Sequence, residues 1–380
     1  MYDSLATIRP GDPDVIVVGG GIAGLSAALS ASRAGARTLV LDAHGLGGRA
    51  RTTEHDGFEL NVGPHALYRG GHLRGLLDRH GITVTGGRPD ERIRLLRDGT
   101  LTPLHMRVAD IMRTPLLGRR DRVRLLGLLA SVQRHRPDAL VGRTVDEWLG
   151  DQPLAVRQFV DMLVRVSSYT NAPASFDAGA ALQQIQMALT AGVDYLDHGW
   201  GAMAEAMIRV IRGRGGEVVG GATVTAVVGD GSSVEVHLDD LVLRSRAAVV
   251  AAGGPALAER LTGARPAGAS GLTAPVQAAT LDLSLRRPHA GLVFGLDRPL
   301  YLSPHAPAAR LAPDGCGLVT LVQYVPAEAP ASDGRGSGDR DADRHELRAL
   351  ARLAGIDDAD VIHERYSHRL VVNHGSPTAA

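Results

Sequence analysis

Val15-Ile16-Val17-Val18-Gly19-Gly20-Gly21-Ile22-Ala23-Gly24 decides how the first part of this 380-residue chain folds. The four leading residues are apolar and β-branched, the pattern of a strand covered on both faces. Three glycines follow. A helix-favouring stretch then runs to Arg33, with Gly35 at the place of a C-cap. Thr38-Leu39-Val40-Leu41 reads as a second strand, closed by Asp42. Strand, glycine turn, helix, strand and acid suit a dinucleotide. Gly19 permits the tight turn, Gly21 lets a pyrophosphate approach the backbone, and Gly24 lets the helix pack close to the strand. The helix start at Ile22 and Ala23 offers N–H groups and a positive dipole end to the phosphates. Asp42, 23 residues after Gly19, lies near the spacing at which a carboxylate accepts from ribose hydroxyls.

Bulk properties narrow the class. The length suits two domains, and 44% hydrophobic with 22% charged residues is ordinary for a soluble globular protein. Acids and bases balance at 41 each, so charge gives no reason to expect a nucleic-acid partner. Every basic residue is arginine, which rules out Schiff-base chemistry on a lysine. Cys316 is the single cysteine, so no intramolecular disulfide forms and no cysteine metal site is expected. No HxxxH or HxH cluster stands on a plausible element, so no metal is expected. Met1 to Asp14 has acids and prolines without an apolar core, unlike a signal peptide, and no apolar run reaches the roughly 20 residues of a membrane helix. The expectation is a cytoplasmic protein.

Up to Asp42 the cofactor is either FAD or NAD. Asp42-Ala43-His44-Gly45-Leu46-Gly47-Gly48-Arg49 resembles the acid-to-Gly-Gly-Arg segment of the superfamily that includes flavin amine oxidases, carotenoid (phytoene) desaturases and protoporphyrinogen oxidases. Gly57-Phe58-Glu59-Leu60-Asn61-Val62-Gly63-Pro64-His65 is similar to the family segment that passes beside the flavin ring. His198-Gly199-Trp200-Gly201, with a helix from Ala202 to Arg212, resembles the family's glycine-led helix. Gly216 to Val227 resembles the strand pair whose backbone meets adenine, here at Val224. Strands Ser233 to Leu238 and Arg246 to Ala252 lead to Gly253-Gly254-Pro255. The resemblance implies an α/β fold: a Rossmann-like FAD-binding domain of 1–75 and 195–265, and a substrate domain of antiparallel sheet plus helices from 76–194 and 266–380. It implies FAD as cofactor, with Ala43, Gly48, Arg49, Gly63, Pro64 and His65 added to the cradle residues and Val224.

Within the second domain, 76–194 reads mostly helical. Arg119 to Arg136 mixes arginines with Leu125, Leu126, Leu128 and Leu129. In relatives such a segment can touch lipid, which extends here over 107–136; the simpler reading is leucines packed inward and arginines in water. The helix 178–191 carries Gln183, Gln184, Gln186 and Met187, which suit a pocket wall, although a packed core helix is the plainer reading. Leu281, Leu283 and Leu285 alternate with polar residues as in a half-exposed strand, with Leu292 to Phe294 and Leu318 to Val325 as partners. Residues 328–342 read as a polar loop and roughly 344–354 as a helix.

The resemblance implies a dehydrogenating flavoenzyme acting on an apolar small molecule, in which the cofactor carries the chemistry and the protein supplies orientation and a dry pocket. Flavin-side candidates are His65, Tyr68, Tyr169, Tyr195, His198 and Trp200, with His65 and Tyr169 the foremost. Three alternatives stand beside it. An amine oxidase is disfavoured by the missing lysine and by only 3% aromatic residues. A scaffold without turnover is suggested by the end of the chain after Arg369-Leu370-Val371-Val372-Asn373-His374, where relatives carry one more flavin-contacting segment; a partner chain completing the site is the related expectation. An NAD-linked dehydrogenase is opposed by Gly47-Gly48-Arg49.

Overall fold

A computed structural model describes residues 11–104, 108–272, 274–326 and 340–379. The chain divides into two compact units, each discontinuous: Met1–Glu54, His72–Thr85 and Asp197–Ser270 form one, and His55–Gly71, Gly86–Leu196 and Gly271–Ala380 the other.

The first unit is built on the expected βαβ element. Val15–Val18 pairs in parallel with Thr38–Asp42 on one side and Ala247–Val250 on the other, and Glu217–Gly220 extends the sheet beyond Thr38–Asp42. Parallel strands need long crossovers, and the helix Ile22–Arg33 supplies the first. Ile16, Val18, Leu39, Leu41 and Val219 are buried in one cluster, which is why the sequence shows unbroken apolar runs instead of alternation. A second, antiparallel sheet joins Val224–Gly229, Val234–Leu238 and Val242–Ser245.

The second unit holds a seven-stranded sheet in the order Val361–Asn373, Val276–Leu285, Gly317–Tyr324, Leu300–Ala306, Leu292–Gly295, Ile93–Arg97, Thr100–Pro103. All its pairs are antiparallel except Leu292–Gly295 with Ile93–Arg97. Helices Leu154–Ser168 and Ala178–Ala191 pack through Val160, Val164, Leu182 and Ile185.

Several sequence expectations need correction. Residues 58–65 belong to the second unit, because Phe58 and Leu60 bury against Tyr195, Ala306, Leu311 and Leu318. Residues 76–85 belong to the first, where Arg214 bonds the His80 ring at 2.8 Å and Arg33 reaches Arg79 O at 3.3 Å. The stretch 76–194 contains the hairpin Ile93–Arg97 and Thr100–Pro103 as well as helices. The strand Val276–Leu285 is not half-exposed. Its leucines pack on Leu347 and Leu350 of helix Arg340–Leu353, and Thr280, Asp282 and Ser284 on its other face are buried as well. Of the expected polar loop 328–342, residues 328–339 lie outside the described residues. In Arg119–Val132, Leu125 is buried and Leu126, Leu128 and Leu129 pack against the same cluster. No helix among the described residues is long and apolar enough to cross a membrane.

Candidate functional site

In the first unit the glycine turn and the segment after Asp42 are tied together by backbone. Gly47 N–H donates to Gly20 O at 2.8 Å, and Gly21 and Gly47 form a parallel bridge. Asp42 acts in the same place: Oδ2 accepts Gly20 N–H at 2.7 Å and Oδ1 accepts His44 N–H at 2.8 Å. Its carboxylate thus fixes the bend, and each oxygen keeps a lone pair for a further donor.

The turn discriminates among its glycines. A Cβ on Gly24 would stand 1.8 Å from Gly19 O, so that position is demanded by the fold. A Cβ on Gly21 would meet nothing within 4 Å, so the absence of a side chain there serves no packing purpose. Gly21 is the N-cap of helix Ile22–Arg33 and no side chain caps that helix, so its first N–H groups face the same open space. Gly48 and Arg49 sit on a short 3-10 turn beside it, with Arg49 exposed and Ala43 exposed just before. An anionic diphosphate fits such a cradle.

The second unit encloses a cavity of about 680 Å³. Four of the chain's seven tyrosines line it: Tyr68, Tyr169, Tyr195 and Tyr301. Phe294, Val166, Val193, Gln183 and Gln184 add to the wall. Phe294 stacks on Tyr301 at 5.4 Å, and Tyr169 meets Tyr324 edge-on at 5.5 Å. Tyr68 donates to Ser167 O at 2.7 Å, while the Tyr195 hydroxyl bonds Ser303 and lies 3.4 Å from the Tyr301 hydroxyl. Apart from these phenols, the ionisable wall residues are Arg88 and Glu91, both exposed. Burial pushes the Tyr68 phenol up to about 12 and raises Tyr169, Tyr195 and Tyr301 too, so all four stay neutral. The cavity is aromatic and hydroxyl-bearing, with its charges confined to the exposed Arg88 and Glu91.

Comparison with known proteins decides the family. The family model described as flavin-containing amine oxidoreductase matches residues 22–376. The chain belongs to the flavin-containing amine oxidoreductase family. An oxidoreductase from Methanosarcina mazei superposes with TM-score 0.77 at 19% identity, covering 95% of this chain and 90% of that one. Putrescine oxidase bound to putrescine superposes with TM-score 0.77 at 17% identity, covering 97% and 89%. All-trans-retinol 13,14-reductase of Danio rerio is 44% identical over 64 residues, 17% of this chain and 10% of that protein. The stretches matched in the curated relatives span from about a tenth to about half of their lengths.

As a member of this family the chain uses FAD, and the cradle around Gly21 has the donors and the room for its diphosphate. Gly19, Gly21, Ile22, Ala23, Gly24, Asp42, Ala43, Gly48 and Arg49 come together in one place in the first unit. Val224 is in that unit as well, at the start of strand Val224–Gly229 beside an irregularity in its pairing with Val234–Leu238. Gly63, Pro64 and His65 belong to the second unit. There the His65 ring Nδ1 lies 3.0 Å from Gly63 O, and a Cβ on Gly63 would stand 2.6 Å from Leu370 Cδ2. His198 is exposed and caps helix Gly199–Gly213 in a left-handed conformation, with Trp200 in the first turn; neither is a wall residue of the cavity.

Of the wall residues, sequence reasoning names Tyr68, Tyr169 and Tyr195 as flavin-side candidates but not Tyr301 and Phe294. It also ranks the helix Ala178–Ala191 as packed core ahead of pocket wall. That helix buries Ala181, Leu182 and Ile185 while turning Ala180, Gln183, Gln184 and Ala188 to the cavity. The 3% aromatic content misled because six of the few aromatic rings, four tyrosines with Phe176 and Phe294, converge on one wall.

Proposed function

We propose that this chain is an FAD-dependent oxidoreductase of the desaturase, dehydrogenase or oxidase type that removes a hydride from an apolar small molecule held in the tyrosine-lined cavity. The observation that carries the reading is the wall itself: rings and small apolar residues, neutral hydroxyls and amides, and exposed Arg88 and Glu91 as its charges. A wall of that kind favours an uncharged ligand, because a buried ion needs a partner charge. When bound, FAD supplies a two-electron acceptor for the hydride of a C–H or N–H bond. The chain's residues do the rest. The Gly19–Gly24 turn and Arg49 hold the diphosphate. Tyr195 and Tyr301 keep the cavity wall rigid through Ser303. The neutral phenols orient the substrate without lending a charge.

A second reading has one observation behind it. Tyrosine faces attract cations, and Glu91 stands at the same wall, an arrangement an amine would use. Putrescine, named in the similar oxidase structure, is such a ligand, whereas the retinol of the zebrafish relative's name is of the apolar kind. The test is anaerobic reduction of FAD-loaded protein by a panel of polyene alcohols, alicyclic ketones and amines. Bleaching of the flavin band by neutral compounds is expected; bleaching by amines alone would overturn the proposal in favour of the second reading.

A further inference from the structure

Tyr169 is out of place in two ways. It ends helix Leu154–Ser168 in a left-handed conformation, φ 62 and ψ 0, where glycine or asparagine is the usual occupant. A bulky aromatic persists in that region only when its surroundings hold it there. They do: its N–H donates to Arg165 O at 2.8 Å, its ring meets Tyr324 edge-on at 5.5 Å, and Thr170 N–H next to it bonds Ser168 Oγ at 3.1 Å. The second oddity is its hydroxyl. The phenols of Tyr68 and Tyr195 are satisfied within the chain, but that of Tyr169 has no hydrogen-bond partner among the described residues. The residue is partly buried, and it lines the cavity. Strained backbone, clamped ring and an unspent donor at a neutral cavity wall point one way.

We propose that Tyr169 is the specificity-determining residue of this cavity, its hydroxyl donating a hydrogen bond to an uncharged carbonyl or hydroxyl oxygen of the substrate. The substrate class is then an apolar molecule with one oxygen function, instead of a pure hydrocarbon or an amine. Because burial holds the phenol protonated, the donor persists across the ordinary pH range. The proposal rests on the cavity being the substrate site.

The test uses FAD-loaded protein and three probes of one shape, 1-ethylnaphthalene, 1-acetylnaphthalene and 1-naphthylmethylamine, with binding measured by calorimetry. The wild-type chain should prefer the ketone to the hydrocarbon by about 5-fold, the worth of one neutral hydrogen bond. Tyr169→Phe keeps the ring and its packing. It should erase that preference while leaving the affinity for 1-ethylnaphthalene and the flavin spectrum unchanged. A ketone preference that survives Tyr169→Phe, or an amine that outbinds the ketone in the wild-type chain, overturns the proposal. Ala188→Trp, which fills the cavity wall, should abolish binding of all three probes. Probes that bind Ala188→Trp normally, or that fail to bind the wild-type chain, sink the cavity reading and this proposal with it, a result distinct from an unaltered Tyr169→Phe.

Discussion

Gly21 and Gly24 are three residues apart and are glycine for opposite reasons. At Gly24 any side chain strikes Gly19 O, and the cost falls on the fold. At Gly21 the space beside the backbone is open, so the cost of a side chain falls on whatever enters that space. Gly21→Val should therefore leave the thermal midpoint of the FAD-free chain within about 3 °C of wild type, apart from a few tenths of a kcal/mol of changed helix capping. The same variant should purify without flavin. A stoichiometric flavin absorption from the Gly21→Val protein would refute the cradle, and a collapsed FAD-free protein would show that the glycine serves packing after all.

The strand Val276–Leu285 shows what a sequence pattern conceals. Its alternation of leucine with threonine, aspartate and serine reads as one wet face, yet both faces are dry. The buried polar face is made tolerable by partners far away in sequence. Asp282 accepts from Thr320 at 2.7 Å and from Arg365 at 2.6 and 3.0 Å, and Arg365 also donates to the carbonyls of Leu60 and Asn61. No local period announces a pairing across 83 positions. The pair buttresses the segment that runs on to Gly63 and His65. Removing Arg365 strands the buried Asp282 carboxylate, so Arg365→Met alone should lower stability by about 3 kcal/mol or more. Asp282→Leu with Arg365→Met should recover part of that loss, the remainder being the cost of the Leu60 and Asn61 carbonyls left without a donor. Urea denaturation of the four members of this cycle measures it; a double-variant loss equal to the sum of the two single losses would show that the pair is not coupled.

At the scale of the whole molecule, the first unit was largely legible and the second was not. Strand, turn, helix and strand follow one another over Val15–Asp42, so local spacing carries them. The substrate side is assembled from tyrosines at 68, 169, 195 and 301, on two strands, a helix end and the central sheet, and only the fold brings them to one wall. The same long-range assembly buries His305, a residue whose role no motif suggested. It stacks on Tyr195 at 4.1 Å, and its Nε2 is buried with no hydrogen-bond partner among the described residues. Burial, and next the charge of His65, push its pKa down to about 3, so the folded chain keeps it neutral while the unfolded chain protonates it near 6.5. Between those two values the unfolded state binds the extra proton, and stability falls as pH is lowered through that window. From pH 7.5 to pH 5 this one group should cost about 2 kcal/mol. His305→Phe preserves the stack on Tyr195 and removes the proton site. Denaturation midpoints compared at the two pH values should show the variant losing about 2 kcal/mol less than wild type; identical acid sensitivity would mean that His305 is protonated in the folded chain and that the polar face of the sheet is open to water.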